Sequence, residues 1–279
     1  EGWLDQIYTP ERYLTRGKHS TKRFEETCLA EYAEVFPIVC GDFSFYQFPT
    51  PEFWHKLFTS APATLQFAFK VPEELTVKQW PTHPRYGSRA SLPNENFLDA
   101  DLCERAFLEP LRPYAQRIRT LIFEFSPFAR GAMPSADHFY AHLDPFLAAL
   151  PPDFRYAIEI RNPEFFTPDY LALLTDHRVA HVFNAWTRMP ELSQQLHYPG
   201  AFTTDFTVTR ALLRQGRPYE EAVKMFQPYQ RVQQPYPPAR EALKEVVAQA
   251  QRRKQPAFLF VNNRLEGNAP QTIEAVLED

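Results

Sequence analysis

The chain alternates between short apolar runs and longer stretches in which apolar residues fall three or four positions apart, the strand and helix periods respectively. Residues 24–36 carry Leu29, Tyr32, Ala33 and Phe36 at helical spacing. The run FPIVCGDFSFY (36–46) then sets Cys40, Asp42 and Ser44 on one face of a strand and Val39, Gly41 and Phe43 on the other. Thr50 and Pro51 supply an N-cap and first-turn pair for the next helix. In LQFAFKVP (65–72), Ala68 and Lys70 alternate against Phe67 and Phe69; in LIFEFSPF (121–128), Ile122, Glu124 and Ser126 alternate against Phe123 and Phe125. RYAIEIR (155–161) repeats the pattern, with Ala157, Glu159 and Arg161 opposite Tyr156, Ile158 and Ile160. VAHVFNAW (179–186) aligns Val182, Asn184 and Trp186, AFTTDFTVTR (201–210) is a weaker, Thr-rich strand, and AFLFVNN (257–263) is a strongly apolar one ending in two amides.

Between these runs, helical spacing is expected over 97–118, over 136–150, after Thr167 and Pro168, and over 239–253. Gly267 and Pro270 frame the turn into a closing helix. The pattern dissolves at about 72–96 and 210–238, which read as long loops, the second with a short helix. Strand and helix alternate with no Asn-Gly hairpin signal, which predicts a parallel sheet with helices outside it. Seven strands, near residues 38, 66, 122, 157, 181, 202 and 258, fall one short of a TIM-type (β/α)8 barrel. The expectation is one such barrel over residues 1–279, its first strand lying ahead of Glu1. A doubly wound open sheet is the alternative, weakened by the lack of a glycine-rich turn after any strand.

Composition narrows the classes of partner. At 279 residues and 44% hydrophobic, the chain has ample material for a large core. A net charge of −4 gives no electrostatic footprint for nucleic acid or an anionic membrane. No stretch approaches the roughly 18 apolar residues of a membrane helix. Three cysteines without a C-x-x-C pair indicate neither a disulfide framework nor a thiolate zinc site, and a reducing cytoplasm is the expected location.

Charge recurs where a barrel interior should be apolar. If the strands form a barrel, Asp42, Ser44, Tyr46, Lys70, Glu124, Glu159, Arg161, Asn184, Trp186, Asn262 and Asn263 lie at their C-terminal ends, where ligands of such barrels sit. Glu159, Lys70, Asp42 and Glu124 are the candidate catalytic residues, as acids, bases and an amine. Arg161, Tyr46, Asn184, Trp186, Asn262 and Asn263 are the candidate substrate-binding residues, by ion pairing, stacking and hydrogen bonding. A buried Glu159–Arg161 pair that only sets strand register is the structural alternative. His138 and His142 share a helix face, but a zincin Glu is missing between them and Phe139 and Tyr140 point to a packed helix, so no metal is assigned. His181, opposite Asn184, reads as a core histidine. No cofactor motif is present.

The succession FPIVCGDFSFYQFP, FAFKVP, LIFEFSP, YAIEIRNPEFF and FLFVNNRLEGNAP resembles the YecE-like family, catalogued as domain of unknown function 72, over nearly the whole chain. The resemblance implies an eight-stranded TIM-type barrel with a site at the strand C-termini and no firmly established activity. By the same resemblance the family's strand-end Lys is Lys70, its Glu and Arg are Glu159 and Arg161, its paired Asn are Asn262 and Asn263, and its Phe-Tyr pair is Phe45 and Tyr46, with Asp42 at an Asn-or-Asp position. Cys40 stands where the family usually has Glu, Glu124 where it has Gln, Asn162 where His follows the Arg, and Phe165 or Phe166 near a family Trp. Loss of a carboxylate at 40 and gain of one at 124 would relocate a charge within one pocket. Trp3, Tyr8 and Pro10 resemble the segment just after the family's first strand. The functional expectation is an enzyme of hydrolase, lyase or isomerase type acting on a small polar, sugar-like or anionic substrate. The alternative is a non-catalytic barrel binding a metabolite or a nucleic-acid end for a partner.

Overall fold

The computed structural model describes residues 2–15, 18–128 and 131–278. A small antiparallel pair, β1 (Leu14–Thr15) and β2 (Lys18–His19), precedes the main sheet and was not signalled by the sequence. The main sheet has seven strands in sequence order: β3 (Ile38–Gly41), β4 (Gln66–Lys70), β5 (Ile118–Phe125), β6 (Tyr156–Ile160), β7 (Ala180–Ala185), β8 (Thr207–Ala211) and β9 (Ala257–Val261). Every neighbouring pair is parallel. Each connection carries helix, as parallel pairing requires.

The sheet curls into a nearly closed TIM-type barrel. In a flat sheet β8 would lie about 14 Å from β5, three strand spacings away. Instead Arg210 on β8 bonds Glu124 on β5 at 2.7 Å across the interior. The strictly sequential strand order, with no point at which it reverses, excludes the open doubly wound sheet. No pairing joins β3 to β9 among the described residues, so the barrel has one unpaired seam.

Two apolar layers follow from the period-two patterns. Outward side chains such as Phe67, Phe69, Phe123, Phe125, Ile158, Ile160 and Phe183 pack beneath the helices in one large core. Inward side chains Ile122, Ala157, Ala180, Val182, Phe206 and Val208 fill the lower barrel, flanked by Cys40, Phe258 and Phe260. The helices begin where the caps placed them: the Thr50 and Thr167 side chains accept from Phe53 and Tyr170 backbone N–H groups, with Pro51 and Pro168 at the first turn. The helix expected from Ala239 starts slightly earlier, at Pro237, and ends at Arg253 as expected.

Three expected elements differ. The run 36–46 is extended only over Ile38–Gly41, and Phe43–Phe45 form a 3-10 turn. Phe43 folds back over Gly41, its ring carbon Cε1 2.7 Å from where a Cβ would stand, so only glycine admits the turn. The segment 97–118 is not one regular helix. It passes through α, π and 3-10 turns between Ala100 and Arg117, because Pro110 and Pro113 lack the N–H a regular ladder needs. The Thr-rich strand starts at Thr207 instead of 201. The Thr203 hydroxyl donates to the Val179 carbonyl and accepts from His181 N–H, a side-chain tether in place of a backbone ladder. No helix of the described residues is long and apolar enough to cross a membrane.

Candidate functional site

Glu124 and Glu159 stand directly opposite each other in the β5–β6 register, both facing the barrel interior. Like charges so placed repel, and both side chains are buried, Glu159 completely. The arrangement therefore requires cations at hydrogen-bond distance, and three are present. Lys70, at the end of β4, places Nζ 2.9 Å from Glu124 Oε2. Arg161, just past β6, bonds Glu159 Oε1 through Nε at 3.0 Å and Glu124 Oε2 through Nη2 at 2.8 Å. Arg210, on β8, donates through Nη1 to Glu124 Oε2 at 2.7 Å and also to Glu159 Oε2. All three cations are less than a tenth exposed.

Burial by itself raises the Glu124 carboxyl. Arg161, Lys70 and Arg210 outweigh that and hold it well below the usual carboxylate range. Burial likewise disfavours the charged Arg210, but Glu159 and Glu124 more than offset this and raise its pKa above the ordinary value. Cys40 faces the same cluster from β3. Burial pushes its thiol up to about 12, so position 40 adds no charge at neutral pH. The exchange of carboxylates between positions 40 and 124 thus takes place within one electrostatic neighbourhood.

Asp42, beyond the end of β3, approaches from the solvent side with 55% of its side chain exposed. Its Oδ1 lies 3.9 Å from Lys70 Nζ and 3.7 Å from Arg210 Nη2. These are ion-pair separations, too long for direct hydrogen bonds. Within the barrel the three cations exceed the two buried carboxylates by one charge, and that excess faces Asp42. Arg210 Nε and Asn184 Oδ1 are buried without a hydrogen-bond partner among the described residues.

Aromatic rings fix the cations from above. Lys70 Nζ sits 3.8 Å from the Phe45 ring centroid, and the Arg161 guanidinium stacks 3.7 Å over Trp186. Tyr46 stands beside Phe45 at the rim. Ser44 is structural, its hydroxyl donating to the Lys70 carbonyl at 2.7 Å.

Of the residues expected at the site, Lys70, Glu124, Glu159, Arg161, Asp42 and Trp186 meet directly, with Tyr46 one ring further out. Asn184 lies beside Arg210 in register, but its Nδ2 is committed to the Ile160 and Val182 carbonyls. Asn262 and Asn263 serve the turn after β9. Asn262 Oδ1 accepts from Arg264 N–H, and Asn263 Oδ1 accepts from Trp3 Nε1 and Ala269 N–H. Asn162 is likewise local, accepting from Phe128 N–H and donating to Glu164. His181 is buried on the outer face, stacked on Phe166. His142 Nδ1 lies 2.8 Å from the His138 carbonyl, and no group of three or more His, Cys, Asp or Glu arranged to hold a metal occurs among the described residues.

Arg210 is the residue that sequence reasoning missed. Its signal was available: in TVTR, Val208 and Arg210 share a face as Ala68 shares one with Lys70. Gln195 was also missed. It is fully buried and clamps the end of β7, bonding both the N–H and the carbonyl of Asn184.

These features define a (β/α) barrel of TIM type with a cation-rich ion cluster at the C-terminal ends of its strands. The family described as "Protein of unknown function DUF72" matches residues 2–279, and the chain belongs to that family. Among curated relatives, the UPF0759 protein YecE of Escherichia coli K12 is 27% identical over 141 residues, covering 50% of this chain and 43% of that protein. The chain thus matches less than half the length of that relative. Among solved structures, a DUF72 protein of Enterococcus faecalis V583 superposes with a TM-score of 0.64 at 18% identity, over 91% of this chain and 92% of that one. A DUF72 protein of Thermotoga maritima MSB8 gives 0.62 at 19% identity, over 99% and 95%. At these identities the structures establish the fold.

Proposed function

We propose that this protein binds a small anionic metabolite, bearing phosphate or carboxylate, at the strand C-termini, with Lys70 and Arg210 as the anion's donors. The observation that carries this reading is the convergence of Lys70 Nζ and Arg210 Nη2 on a half-exposed carboxylate that neither hydrogen-bonds. Asp42 occupies the place of an anion and can swing into water, whereas the cations are held by buried partners. Glu124 and Glu159 act as anchors that aim the cations, since each already bonds two or three of them. Arg161 completes the positive wall and is oriented by Trp186.

A second reading, acid–base catalysis on the bound metabolite, is favoured by Asp42 itself. It is the one carboxylate of the cluster with large solvent exposure, and it adjoins both donors. Glu124 and Glu159, named with Asp42 and Lys70 as catalytic candidates, are less suited to that role because their oxygens face guanidinium and ammonium groups.

The test is calorimetric titration with inorganic phosphate at low ionic strength. Lys70→Met should lower affinity at least tenfold. Asp42→Asn, which removes the competing carboxylate, should raise it about twofold to fivefold, the scale of a partly exposed ion pair. An Asp42→Asn variant that binds phosphate no better than the parent would remove the basis of the proposal.

A further inference from the structure

We propose that the site takes a 2-hydroxy carboxylate, with the carboxylate on the Nε–Nη2 edge of Arg210 and the hydroxyl donating to Asn184 Oδ1. The inference rests on the anion reading above and names the class of anion. It starts from how the buried arginines use their guanidinium groups. Nε and Nη2 present parallel N–H bonds along one edge, which receives a carboxylate through two hydrogen bonds, whereas Nη1 lies on the far side. Arg161 fills that edge with the two carboxylates of the cluster, Nε lying 3.0 Å from Glu159 Oε1 and Nη2 2.8 Å from Glu124 Oε2. Arg240 fills it with the buried Glu266, Nε reaching Oε1 at 2.9 Å and Nη2 reaching Oε2 at 2.8 Å.

Arg210 differs. Its bonds to Glu124 and Glu159 both leave from Nη1. Nε is buried and makes no hydrogen bond among the described residues, and Nη2 has the Asp42 carboxylate 3.7 Å away, beyond hydrogen-bond distance. The residue is 5% exposed, which leaves the edge little bulk water. The edge that Glu266 occupies on Arg240 is therefore unpartnered on Arg210. It stands beside Lys70 Nζ, which approaches the same Asp42 oxygen at 3.9 Å.

An acceptor in the same condition adjoins it. Asn184 pairs with Arg210 in the β7–β8 register, one strand spacing of about 4.8 Å away, and both face the lumen by the alternation that puts Val182 and Val208 there. Asn184 Nδ2 donates to the Ile160 and Val182 carbonyls, so the amide nitrogen is turned to β6 and the oxygen away from it. Oδ1 is buried and accepts no hydrogen bond among the described residues. A buried amide oxygen calls for a donor. One ligand satisfies both groups if it carries a carboxylate with a hydrogen-bond donor on the adjoining carbon. Hydroxyl and ammonium are the common choices, and charge decides between them. The cluster already sets three cations against two buried carboxylates, so an ammonium adds a repulsion that a hydroxyl does not. A phosphate monoester dianion matches the edge but has no proton to give Asn184.

The experiment is calorimetric titration of the full chain at low ionic strength with glycolate, acetate, glycine and methyl phosphate, for the parent, Asn184→Leu and Arg210→Lys. Glycolate and acetate carry the same charge, so their difference reads the hydroxyl. The parent should bind glycolate about tenfold or more tightly than acetate, and more tightly than glycine or methyl phosphate. Asn184→Leu should bring glycolate to within about twofold of acetate while acetate affinity holds, the mark of a lost acceptor for the hydroxyl. Arg210→Lys, which keeps the charge but not the edge, should weaken both carboxylates by about tenfold or more. Glycolate no tighter than acetate in the parent overturns the hydroxyl assignment, whether or not Asn184→Leu folds, and leaves the anion reading standing. An unchanged glycolate preference in folded Asn184→Leu overturns the assignment to Asn184. Tighter binding of glycine than of glycolate overturns the hydroxyl in favour of an ammonium, and tighter binding of methyl phosphate overturns the carboxylate. Absence of binding by glycolate, acetate and methyl phosphate alike overturns the anion reading and this inference together.

Discussion

Replacing Arg210 by Met removes the guanidinium that bridges Glu124 and Glu159 while retaining much of its length. Glu159 is then completely buried with Arg161 as its remaining cation, and Glu124 keeps Lys70 and Arg161. Removing one partner of a buried ion pair typically destabilises by 3–5 kcal/mol. Because each carboxylate keeps at least one cation, the lower end applies, about 3 kcal/mol. At a few degrees per kcal/mol for a chain of this size, the melting temperature should fall by roughly 6–9 °C. The decisive form is a double-mutant cycle with Glu159→Gln by urea denaturation. Each single variant should lose about 3 kcal/mol, and the double variant about 4, a coupling near 2 kcal/mol. Arg210→Lys should fall between parent and Arg210→Met, since one ammonium cannot span both carboxylates as a planar fork does. Additivity of the two single changes to within about 0.5 kcal/mol would refute the view that Arg210 is there to separate two opposed carboxylates.

Acid should destabilise the protein partly through Glu124. Its carboxyl is depressed in the folded state, so its stabilisation is complete above the ordinary value near 4.3 and is lost as pH falls below it; Glu124→Gln should flatten urea-midpoint against pH in that range. His181 acts in a higher window. Burial lowers it to about 3, so the unfolded chain takes up a proton first, and stability falls from about pH 6.5 towards 3 by up to about 1.4 kcal/mol per pH unit. A His181→Phe variant should lose that slope, and an unchanged profile would show that His181 is charged in the folded protein. Asn263→Ala removes the acceptor of Trp3 Nε1 and Ala269 N–H, and should cost about 1 kcal/mol while red-shifting tryptophan emission. Unaltered emission would mean that Trp3 is held by other contacts.

The elements most legible in the sequence were those whose period and caps agreed. Thr50-Pro51 and Thr167-Pro168 open helices because one side chain satisfies an N-terminal amide and one ring lacks the amide altogether. The inward positions of Lys70, Glu124 and Glu159 followed from strict alternation on β4, β5 and β6. What alternation could not give was partnership across the barrel. Arg210 meets Glu124 at a sequence separation of 86 residues, and no local pattern distinguishes an arginine that ends a strand in solvent from one that spans the lumen. The double Asn was read as a ligand pair from its place at a strand end, and alternation gave no sign that its side-chain oxygens accept from Arg264, Trp3 and Ala269 around the turn after β9. The strand expected at 201–210 was blurred by threonines that tether through hydroxyls instead of the ladder.

Among the described residues the cluster stands on strands that differ in how many neighbours they pair with. Lys70, Glu124, Glu159 and Arg210 stand on or at the end of strands that are bonded on both sides, the part of a sheet whose amides exchange with solvent last. Asp42 follows β3, which pairs with β4 alone among the described residues. The three cations and two buried carboxylates therefore stand on or just beyond strands paired on both sides, and the exposed Asp42 lies beyond one paired with β4. Hydrogen exchange should report this as two rates on one ion pair, with the backbone around Asp42 opening while Arg210 and its carboxylates stay closed.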